Sequence, residues 1–223
     1  MQHKRTLAFI GAGNMSRSII AGLIQAGYPA GRIIAANPSR PKLDELADQF
    51  GIRITQNNAE AAREADVIVL AVKPQLMAAM LEALVAELGS LAGKLLISIA
   101  AGIKVERLQE MAGGHSRIIR TMPNTPSLLG LGMTGLYAPS GIEQADRDFA
   151  EQMMQAVGKT LWVAQESGIN GVIAASGSAP AYFFLFMQGI AEEAEAMGFS
   201  PEQARLLVQQ TALGAAAMVE QNP

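Results

Sequence analysis

The chain has 223 residues, half of them hydrophobic and 17% charged, so it can build a substantial core and is not a disordered protein. The formal net charge of −3 gives no electrostatic reason to expect nucleic acid as a partner. It has no cysteine and two histidines, His3 and His115, which excludes a disulfide scaffold, a thiolate nucleophile and a cysteine-held metal centre. We therefore expect no metal site.

The apolar run near the start of the chain, Thr6 to Ile10, ends at Gly11. It is too short for the core of a signal peptide and far too short to span a bilayer. We expect a cytoplasmic protein with no membrane partner.

Short runs rich in Val, Ile and Leu alternate with segments of helical period as far as Trp162. The pattern predicts strands at 6–10, 32–36, 52–55, 66–72, 94–99, 117–122, 132–137 and 160–163, and helices at 14–26, 41–50, 75–88 and 105–111. The run 66–72 is apolar almost throughout, as expected of a strand covered on both faces. This alternation predicts the α/β class, with a mostly parallel, doubly wound sheet and right-handed crossovers.

No strand is predicted after Trp162, where the chain is rich in Ala, Met, Glu and Gln. Pro180 can open one helix, and Ser200-Pro201 has the cap-then-proline order that opens another. The apolar stretch 179–190 predicts a buried helix. We place the domains at 1–162 and 163–223, and we expect a second chain to cover the helices because two helices cannot bury both faces alone.

A small-residue loop follows the first predicted strand and opens the first helix: Gly11-Ala12-Gly13-Asn14-Met15-Ser16. In dinucleotide-binding folds the first glycine makes the tight turn, the second admits the pyrophosphate, and the third small residue lets helix and strand pack closely. Ser16 departs from that third glycine or alanine. An ordinary strand-to-helix turn is the alternative, but the strand before and the helix after favour a phosphate cradle.

The end of the second predicted strand indicates which dinucleotide is bound. NAD sites usually carry an acidic residue there, whereas this chain has Asn37-Pro38-Ser39-Arg40. A serine hydroxyl and an arginine can bind a 2′-phosphate, which a carboxylate would repel. The sequence therefore favours NADPH, with NADH possible; the alternative is that Ser39 only caps a helix and Arg40 is solvated.

Three further predicted strands end in distinctive loops: Lys73-Pro74-Gln75, Ala100-Ala101-Gly102 and Pro123-Asn124-Thr125-Pro126. In open α/β sheets the ligand lies outside the carboxyl ends of the strands. Each loop alone is compatible with a structural role. Their coincidence at one edge predicts a ligand site.

Five stretches together resemble the pyrroline-5-carboxylate reductase family: Phe9-Ile10-Gly11-Ala12-Gly13-Asn14-Met15, Ala71-Val72-Lys73-Pro74, Ser98-Ile99-Ala100-Ala101-Gly102, Met122-Pro123-Asn124-Thr125-Pro126 and Ser176-Gly177-Ser178-Ala179-Pro180-Ala181-Tyr182. The first is shared with many dehydrogenases, and the last two are specific. The resemblance implies NAD(P)H-dependent reduction of 1-pyrroline-5-carboxylate to L-proline, the last step of proline biosynthesis. It also implies a Rossmann-like domain followed by an all-α dimerisation domain, in a homodimer or larger homo-oligomer.

The resemblance also implies site residues. The cofactor-binding positions are Gly11, Ala12, Gly13, Asn14, Met15, Asn37, Ser39, Arg40, Asn58, Ala71, Val72, Lys73, Pro74, Ala100, Ala101 and Gly102. Lys73 and Thr125 are the catalytic candidates, and Asn124 and Glu166 are the substrate candidates. Lys73 fits a cofactor or water contact better than a general acid, and Arg120 fits a structural pairing better than a carboxylate clamp.

The chain departs from the family pattern in one important respect. The Ser-Pro-Gly-Gly-Thr-Thr-like loop that contributes substrate contacts does not occur before Pro223, and Ala179 replaces a glycine. We expect a truncated form of a longer enzyme, with the helical domain incomplete; the alternative is a protein that binds cofactor without turnover.

Two other functions remain open from the sequence. A β-hydroxyacid or 6-phosphogluconate-type dehydrogenase has a similar layout, but it needs a catalytic lysine on the interdomain helix, and no lysine follows Lys159. A non-catalytic NADP(H)-binding or oligomerisation module predicts binding of the nucleotide with no turnover.

Overall fold

The computed structural model describes residues 5–222, so His3 lies outside the described residues. Contacts divide the chain into two compact units between Gly177 and Ser178, which we call the sheet unit and the helical unit. The predicted boundary at 162/163 lies earlier in the chain, since the segment 163–177 packs with the sheet unit.

The described residues of the sheet unit form eight strands: β1 Leu7–Ile10, β2 Ile33–Ala36, β3 Arg53–Thr55, β4 Val67–Leu70, β5 Leu95–Ser98, β6 Ile118–Met122, β7 Gly132–Tyr137 and β8 Gly158–Trp162. They make one sheet in the order β3-β2-β1-β4-β5-β6-β7-β8. The first six strands are mutually parallel, β7 runs antiparallel to β6, and β8 runs parallel to β7. The predicted mostly parallel, doubly wound sheet is confirmed.

The helices of the sheet unit are α1 Asn14–Gln25, α2 Arg40–Phe50, α3 Asn58–Glu64, α4 Met77–Leu88, α5 Val105–Met111, α6 Gln144–Gln155 and α7 Gly168–Val172. Short 3-10 turns at Pro74–Leu76 and Thr125–Leu129 follow β4 and β6, and a π-helical turn at Ile173–Gly177 ends the unit. Helices α3, α6 and α7 are not among the four helices predicted for this part of the chain. The signal for α3 is Asn57, whose side chain accepts hydrogen bonds from the backbone N–H groups of Ala59 and Glu60.

Two apolar clusters cover the two faces of the sheet. One joins α1 and α6 to the sheet through residues such as Leu23, Phe149 and Met153. The other joins α3, α4 and α5 to the sheet through residues such as Leu81 and Leu108. The strands β1, β2, β4 and β5 are buried along their whole length, and all their residues are apolar except Ser98 at the end of β5.

The helical unit contains α8 Ala179–Ala196 and α9 Pro201–Gln221. As predicted, proline lies in the first turn of each helix, and Ser200 caps α9 in a capping box with Gln203. The prediction of a buried helix at 179–190 is wrong for this chain: the helix forms, but none of its residues is buried, and Phe186 is 70% exposed. The apolar pattern therefore predicted the helix correctly, but the single chain does not bury it, and the expectation that a second chain covers it stays a prediction.

Candidate functional site

The loops predicted to bind ligand follow parallel strands and therefore meet at one edge of the sheet. Residues 11–15 follow β1, 37–40 follow β2, 71–74 follow β4, 100–102 follow β5 and 123–125 follow β6. Chain order reverses between β1 and β4, which are neighbours in the sheet. Crevices at such switch points are where open α/β sheets bind ligands.

The first loop requires glycine at two positions for different reasons. Gly11 has φ +111°, and a Cβ placed on it would lie 2.6 Å from the Ala71 carbonyl oxygen. A side chain there would clash with the backbone after β4. Gly13 faces open space, with no atom within 4 Å of the point that a Cβ would occupy. Gly13 therefore leaves room for a ligand to approach the backbone.

The amino end of α1 has unused hydrogen-bond donors. Gly13 caps it without a side-chain hydrogen bond, and the first turn contains no acidic residue. Asn14 is exposed and Met15 is half-buried there. The free N–H groups and the positive end of the helix dipole fit a pyrophosphate.

Ser16 explains how the loop tolerates its departure from the usual pattern. Its side chain is buried, and Oγ donates a 2.7 Å hydrogen bond to the Gly11 carbonyl oxygen. The buried hydroxyl is thus satisfied, and it holds the carbonyl of the turn.

Asn37 fixes the geometry between the β1 and β2 loops. Its Oδ1 accepts from the backbone N–H of Ala12 at 3.2 Å, and its Nδ2 donates to the Ser39 carbonyl at 3.1 Å. Sequence reasoning placed Asn37 among the cofactor-binding residues; the structure gives it this additional organising role.

Ser39 and Arg40 lie together at the start of α2. Ser39 occupies the cap position but makes no side-chain capping hydrogen bond. The Arg40 side chain is 62% exposed, and its Nε donates to Asp44 Oδ1 at 2.7 Å. An exposed ion pair of this kind is weak, so the guanidinium can leave the Asp44 carboxylate and pair with a phosphate group instead. The assignment of both residues to a 2′-phosphate remains a prediction.

Asn58 is the first residue of α3, at the same edge of the sheet. It lines a cavity of about 310 Å³ together with Gln56, Asn57, Met80 and Glu87. The structure supplies a polar recess beside Asn58, and its contact with an adenosine ribose remains a prediction.

The loops after β4 and β5 present mostly small groups. Ala71 and Val72 are half-buried, whereas Lys73 and Pro74 are exposed and lead into the 3-10 turn. Ala100 is buried, and Ala101 and Gly102 are exposed beside it. Such small side chains leave space for a flat ring to lie against backbone, as the sequence predicts.

Asn124 and Thr125, which are neighbours in the chain, are placed very differently. The Asn124 side chain is buried: Nδ2 donates to the Ser176 carbonyl at 3.0 Å, and Oδ1 accepts from the Met133 N–H at 2.8 Å. Asn124 therefore joins the β6 loop to β7 and to the π-helical turn. Thr125 is exposed at the start of its 3-10 turn.

Glu166 accepts two hydrogen bonds on one carboxylate oxygen. Arg120 Nη1 and the backbone N–H of Val105 both lie 2.8 Å from Glu166 Oε1. The structural pairing expected for Arg120 is thus present, and sequence reasoning missed its partner. The assignment of Glu166 to substrate is not tested by this geometry.

The shifted pKa values of the sheet unit belong to groups at the opposite edge, where the strands begin. Burial would raise the pKa of Asp146, but hydrogen bonds from Arg117 and Arg5 outweigh it and lower that pKa below its usual range. Burial lowers the pKa of Lys94 and of His115, whose Nε2 lies 3.0 Å from the Lys94 carbonyl oxygen. These groups stabilise the fold and lie away from the candidate site.

Over residues 5–222, no group of three or more His, Asp or Glu side chains is arranged to hold a metal ion. At the candidate site the chain offers backbone donors, small side chains and a few polar groups. These features define the dinucleotide-binding, Rossmann-like class of oxidoreductase folds.

Comparison with known proteins agrees with this class. Residues 6–102 match the family model described as NADP oxidoreductase, coenzyme F420-dependent, and residues 166–223 match the pyrroline-5-carboxylate reductase dimerisation model. A pyrroline-5-carboxylate reductase from Vibrio alginolyticus is 57% identical over 223 residues, covering all of this chain and 81% of the relative. The chain belongs to the pyrroline-5-carboxylate reductase family.

Two solved structures show the same architecture. A pyrroline-5-carboxylate reductase from Coxiella burnetii has a TM-score of 0.91 and 42% identity, covering 98% of this chain and 80% of that one. The Plasmodium falciparum pyrroline carboxylate reductase, solved with NADP bound, has a TM-score of 0.87 and 28% identity, covering 100% and 81%. The predicted family and the two-part fold are confirmed.

Proposed function

We propose that this protein reduces 1-pyrroline-5-carboxylate to L-proline with NADPH. The observation that carries the proposal is the 57% identity with a pyrroline-5-carboxylate reductase along the whole chain. The phosphate cradle at Gly11 and Gly13 supports it, because the same residues supply the backbone geometry that a dinucleotide needs.

The reaction asks little acid–base chemistry of the protein. When bound, NADPH supplies the hydride that reduces the C5 carbon of the protonated imine. The protein's part is to hold the two reactants in line and to exclude water, which is a matter of position and electrostatics. This agrees with a strand-end edge lined by Ala71, Ala100 and Gly102.

Lys73 and Thr125 are exposed polar side chains in the loops after β4 and β6. In the proposed reaction Lys73 contacts the cofactor or a water molecule at the end of β4. Thr125 and Asn124 flank the substrate. The buried Asn124 amide keeps the loop that carries Thr125 in place through its bonds to Ser176 and Met133.

The preference for NADPH over NADH rests on the loop after β2. No carboxylate occupies positions 37–40, and both Ser39 and Arg40 are exposed at the start of α2. A 2′-phosphate placed there would meet a hydroxyl, a guanidinium and the amino end of a helix.

We also propose that two copies associate through α8. Its consecutive apolar side chains Tyr182–Phe186 are all more than 60% exposed. Three of them, Tyr182, Leu185 and Phe186, line an apolar groove together with Ile190. A surface of this kind usually marks an interface, and the family model matched at 166–223 describes dimerisation.

A membrane span is an alternative explanation for the apolar composition of this helix, and an experiment can test it. The stretch Gly168–Ala196 has a mean hydropathy of 1.3 over an 18-residue segment, so it is long and apolar enough to cross a membrane. We propose instead a cytoplasmic enzyme in which a second copy covers this helix. Fractionation should leave the protein in the high-speed supernatant, and recovery in the membrane pellet would contradict the proposal.

The decisive test is an absorbance assay of NADPH oxidation with and without 1-pyrroline-5-carboxylate. We expect oxidation only when the imine is present, with one proline formed per NADPH consumed. NADPH binding without turnover would instead support a non-catalytic binding module. Turnover of a 3-hydroxyacid with NADP⁺ would support a dehydrogenase of the β-hydroxyacid type.

A further inference from the structure

Three segments that are distant in sequence meet at the Glu166 carboxylate. Arg120 lies on β6, Val105 begins α5, and Glu166 precedes α7. The Arg120 side chain is 5% exposed and that of Glu166 is 21% exposed. A partly buried ion pair with this shared backbone contact is a specific arrangement, because each group would be costly to leave without its partner.

The contact with Val105 serves the amino end of α5. Lys104 occupies the cap position of that helix but makes no side-chain capping hydrogen bond. Glu166 supplies the missing acceptor from elsewhere in the chain, at 2.8 Å from the Val105 nitrogen. A carboxylate at this end of a helix is also favoured by the helix dipole.

The loop that Glu166 restrains is the one that contains Ala100, Ala101 and Gly102. At its start, the Ala100 N–H donates to Ser98 Oγ at 3.3 Å. At its end, Val105 is held by Glu166. Between these two points Ala101 and Gly102 are exposed, and Gly102 has φ +79°. Ala100 and Ile103 are buried and anchor the loop in the apolar cluster of α4 and α5, and Glu166 adds a polar contact at its end.

Arg120 is the ion-pair partner of Glu166. Among the ion pairs of residues 5–222, Arg120 pairs with Glu166, and its buried Nε has no hydrogen-bond partner. One N–H donor of the guanidinium is thus already without a partner. Loss of Glu166 would in addition leave the positive charge of Arg120 buried without compensation. We therefore expect the effects of substitutions at the two residues to be coupled.

We propose that Arg120 and Glu166 are positioning residues, which hold the 100–102 loop where the nicotinamide ring must lie. The inference rests on the proposed function. Glu166 acts through Arg120 and Val105 in this arrangement, and it does not contact the reacting atoms. Its loss should impair the hydride-transfer step and leave phosphate binding at Gly11 and Gly13 intact.

The test compares Glu166→Gln, Arg120→Met, Arg120→Lys and the double variant Glu166→Gln/Arg120→Met. Glutamine keeps the size of the side chain but loses the ion pair with Arg120 that holds its oxygen at Val105, and lysine keeps the charge of Arg120. We expect kcat to fall about tenfold in each of the first two, with both KM values within about twofold of the original protein, because small misplacements cost rate more than binding. Arg120→Lys should recover part of the rate, and the double variant should be no slower than the slower single one.

Two measurements report on the conformation of the 100–102 loop in the absence of catalytic turnover. Hydrogen exchange of the Val105 amide and its neighbours should accelerate in Glu166→Gln and Arg120→Met. The fluorescence of bound NADPH should change, while its Kd stays within about twofold. Glu64→Gln, in the exposed pair with Arg53, is the matched control and should alter none of these quantities.

Several outcomes would overturn the proposal. A raised KM for pyrroline-5-carboxylate in Glu166→Gln but not in Arg120→Met would show a direct substrate contact. Additive losses in the double variant, or unchanged exchange at Val105, would show that the pair does not hold the loop. If the unmodified protein does not reduce the imine, the proposed function fails, and the exchange and fluorescence data still decide whether the pair positions the loop.

Discussion

The sheet unit and the helical unit use apolar residues in opposite ways. In β1, β2, β4 and β5 every residue is buried, whereas α8, whose first half is also rich in apolar residues, has no buried residue. Hydrophobicity therefore indicates that a surface will be covered, but it does not identify what covers it. In the sheet unit two layers of helices do so, and in the helical unit we propose a second copy.

This difference leads to different expectations for substitutions. Changes at buried positions of the sheet unit should act within one chain, on its folding or on the shape of its ligand site. Changes on the exposed face of α8 should act between chains. The predictions below test this contrast, beginning with the largest expected effect.

Asp146→Asn should destabilise the sheet unit most. Asp146 is fully buried and pairs with both Arg5 and Arg117. Removal of its charge leaves two arginines without compensation, and we expect a loss of about 3 kcal/mol in the free energy of unfolding. Urea unfolding measures this loss. Asp148→Asn, at an exposed position of the same helix, is the control, and an equal loss there would contradict the prediction.

Asp146 also predicts the direction of an acid effect. Hydrogen bonds and charges from Arg117 and Arg5 lower its pKa in the folded state, against the opposing effect of burial. Its contribution to stability is therefore present in full above the unfolded pKa of about 3.9, and it is lost as pH falls from there through the folded pKa. Asp146→Asn should remove this part of the acid dependence; an unchanged profile would show that other groups cause it.

Gly13→Ala should separate ligand binding from folding. A Cβ at Gly13 meets no protein atom within 4 Å, so the fold should be unaffected, while the methyl group occupies the space proposed for pyrophosphate. We expect the Kd for NADPH to rise about 100-fold, equivalent to ~2.7 kcal/mol. Fluorescence titration and thermal unfolding measure the two effects.

Gly11→Ala and Gly27→Ala make the matched comparison for that prediction. Both glycines have positive φ, but only the Cβ at Gly11 clashes with backbone, at Ala71. Gly11→Ala should therefore lose both stability and NADPH binding, and Gly27→Ala should lose stability alone. If the Kd for NADPH were unchanged in both Gly11→Ala and Gly13→Ala, the loop after β1 would not be where the phosphates bind.

The regular part of the sheet unit was predictable because its signals are local. Continuous apolar runs identified β4 and β5, and the loop from Gly11 to Ser16 identified the junction of β1 and α1. The same applies to the start of α9, where Ser200 and Pro201 provide a cap and a first-turn proline. In these elements the propensity, the pattern and the final structure agree.

The parts that could not be predicted depend on contacts between distant residues. Arg120 and Glu166 are 46 positions apart, and Asn124 and Ser176 are 52 apart, so no local pattern shows that they meet. The family resemblance identified Asn124 and Glu166 as substrate candidates. Only the folded chain shows that their polar atoms bind other segments of the protein.

Phe186→Glu should disrupt association of the helical unit without unfolding the chain. Phe186 is 70% exposed, so we expect a change below about 0.5 kcal/mol in the stability of the isolated chain. A charge placed in an apolar interface should weaken association by about 2 kcal/mol or more. Sedimentation equilibrium measures the association. Gln210→Glu, an exposed charge change on α9, is the control, and an unchanged oligomeric state in Phe186→Glu would place the interface elsewhere.

Arg40→Ala should have the smallest of these effects, and it should act on the ligand alone. Arg40 is exposed and its pairing with Asp44 is a surface ion pair, so its removal should leave the stability of the sheet unit unchanged. We expect the Kd for NADPH to rise about tenfold, equivalent to ~1.4 kcal/mol, because one charged hydrogen-bond donor to the 2′-phosphate is lost. The Kd for NADH, which has no 2′-phosphate, should not change. Lys42→Ala, at another exposed cation of α2, controls for the loss of local positive charge. If Arg40→Ala weakened the two nucleotides equally, Arg40 would not be what distinguishes them, and the preference for NADPH would need another source in the loop after β2.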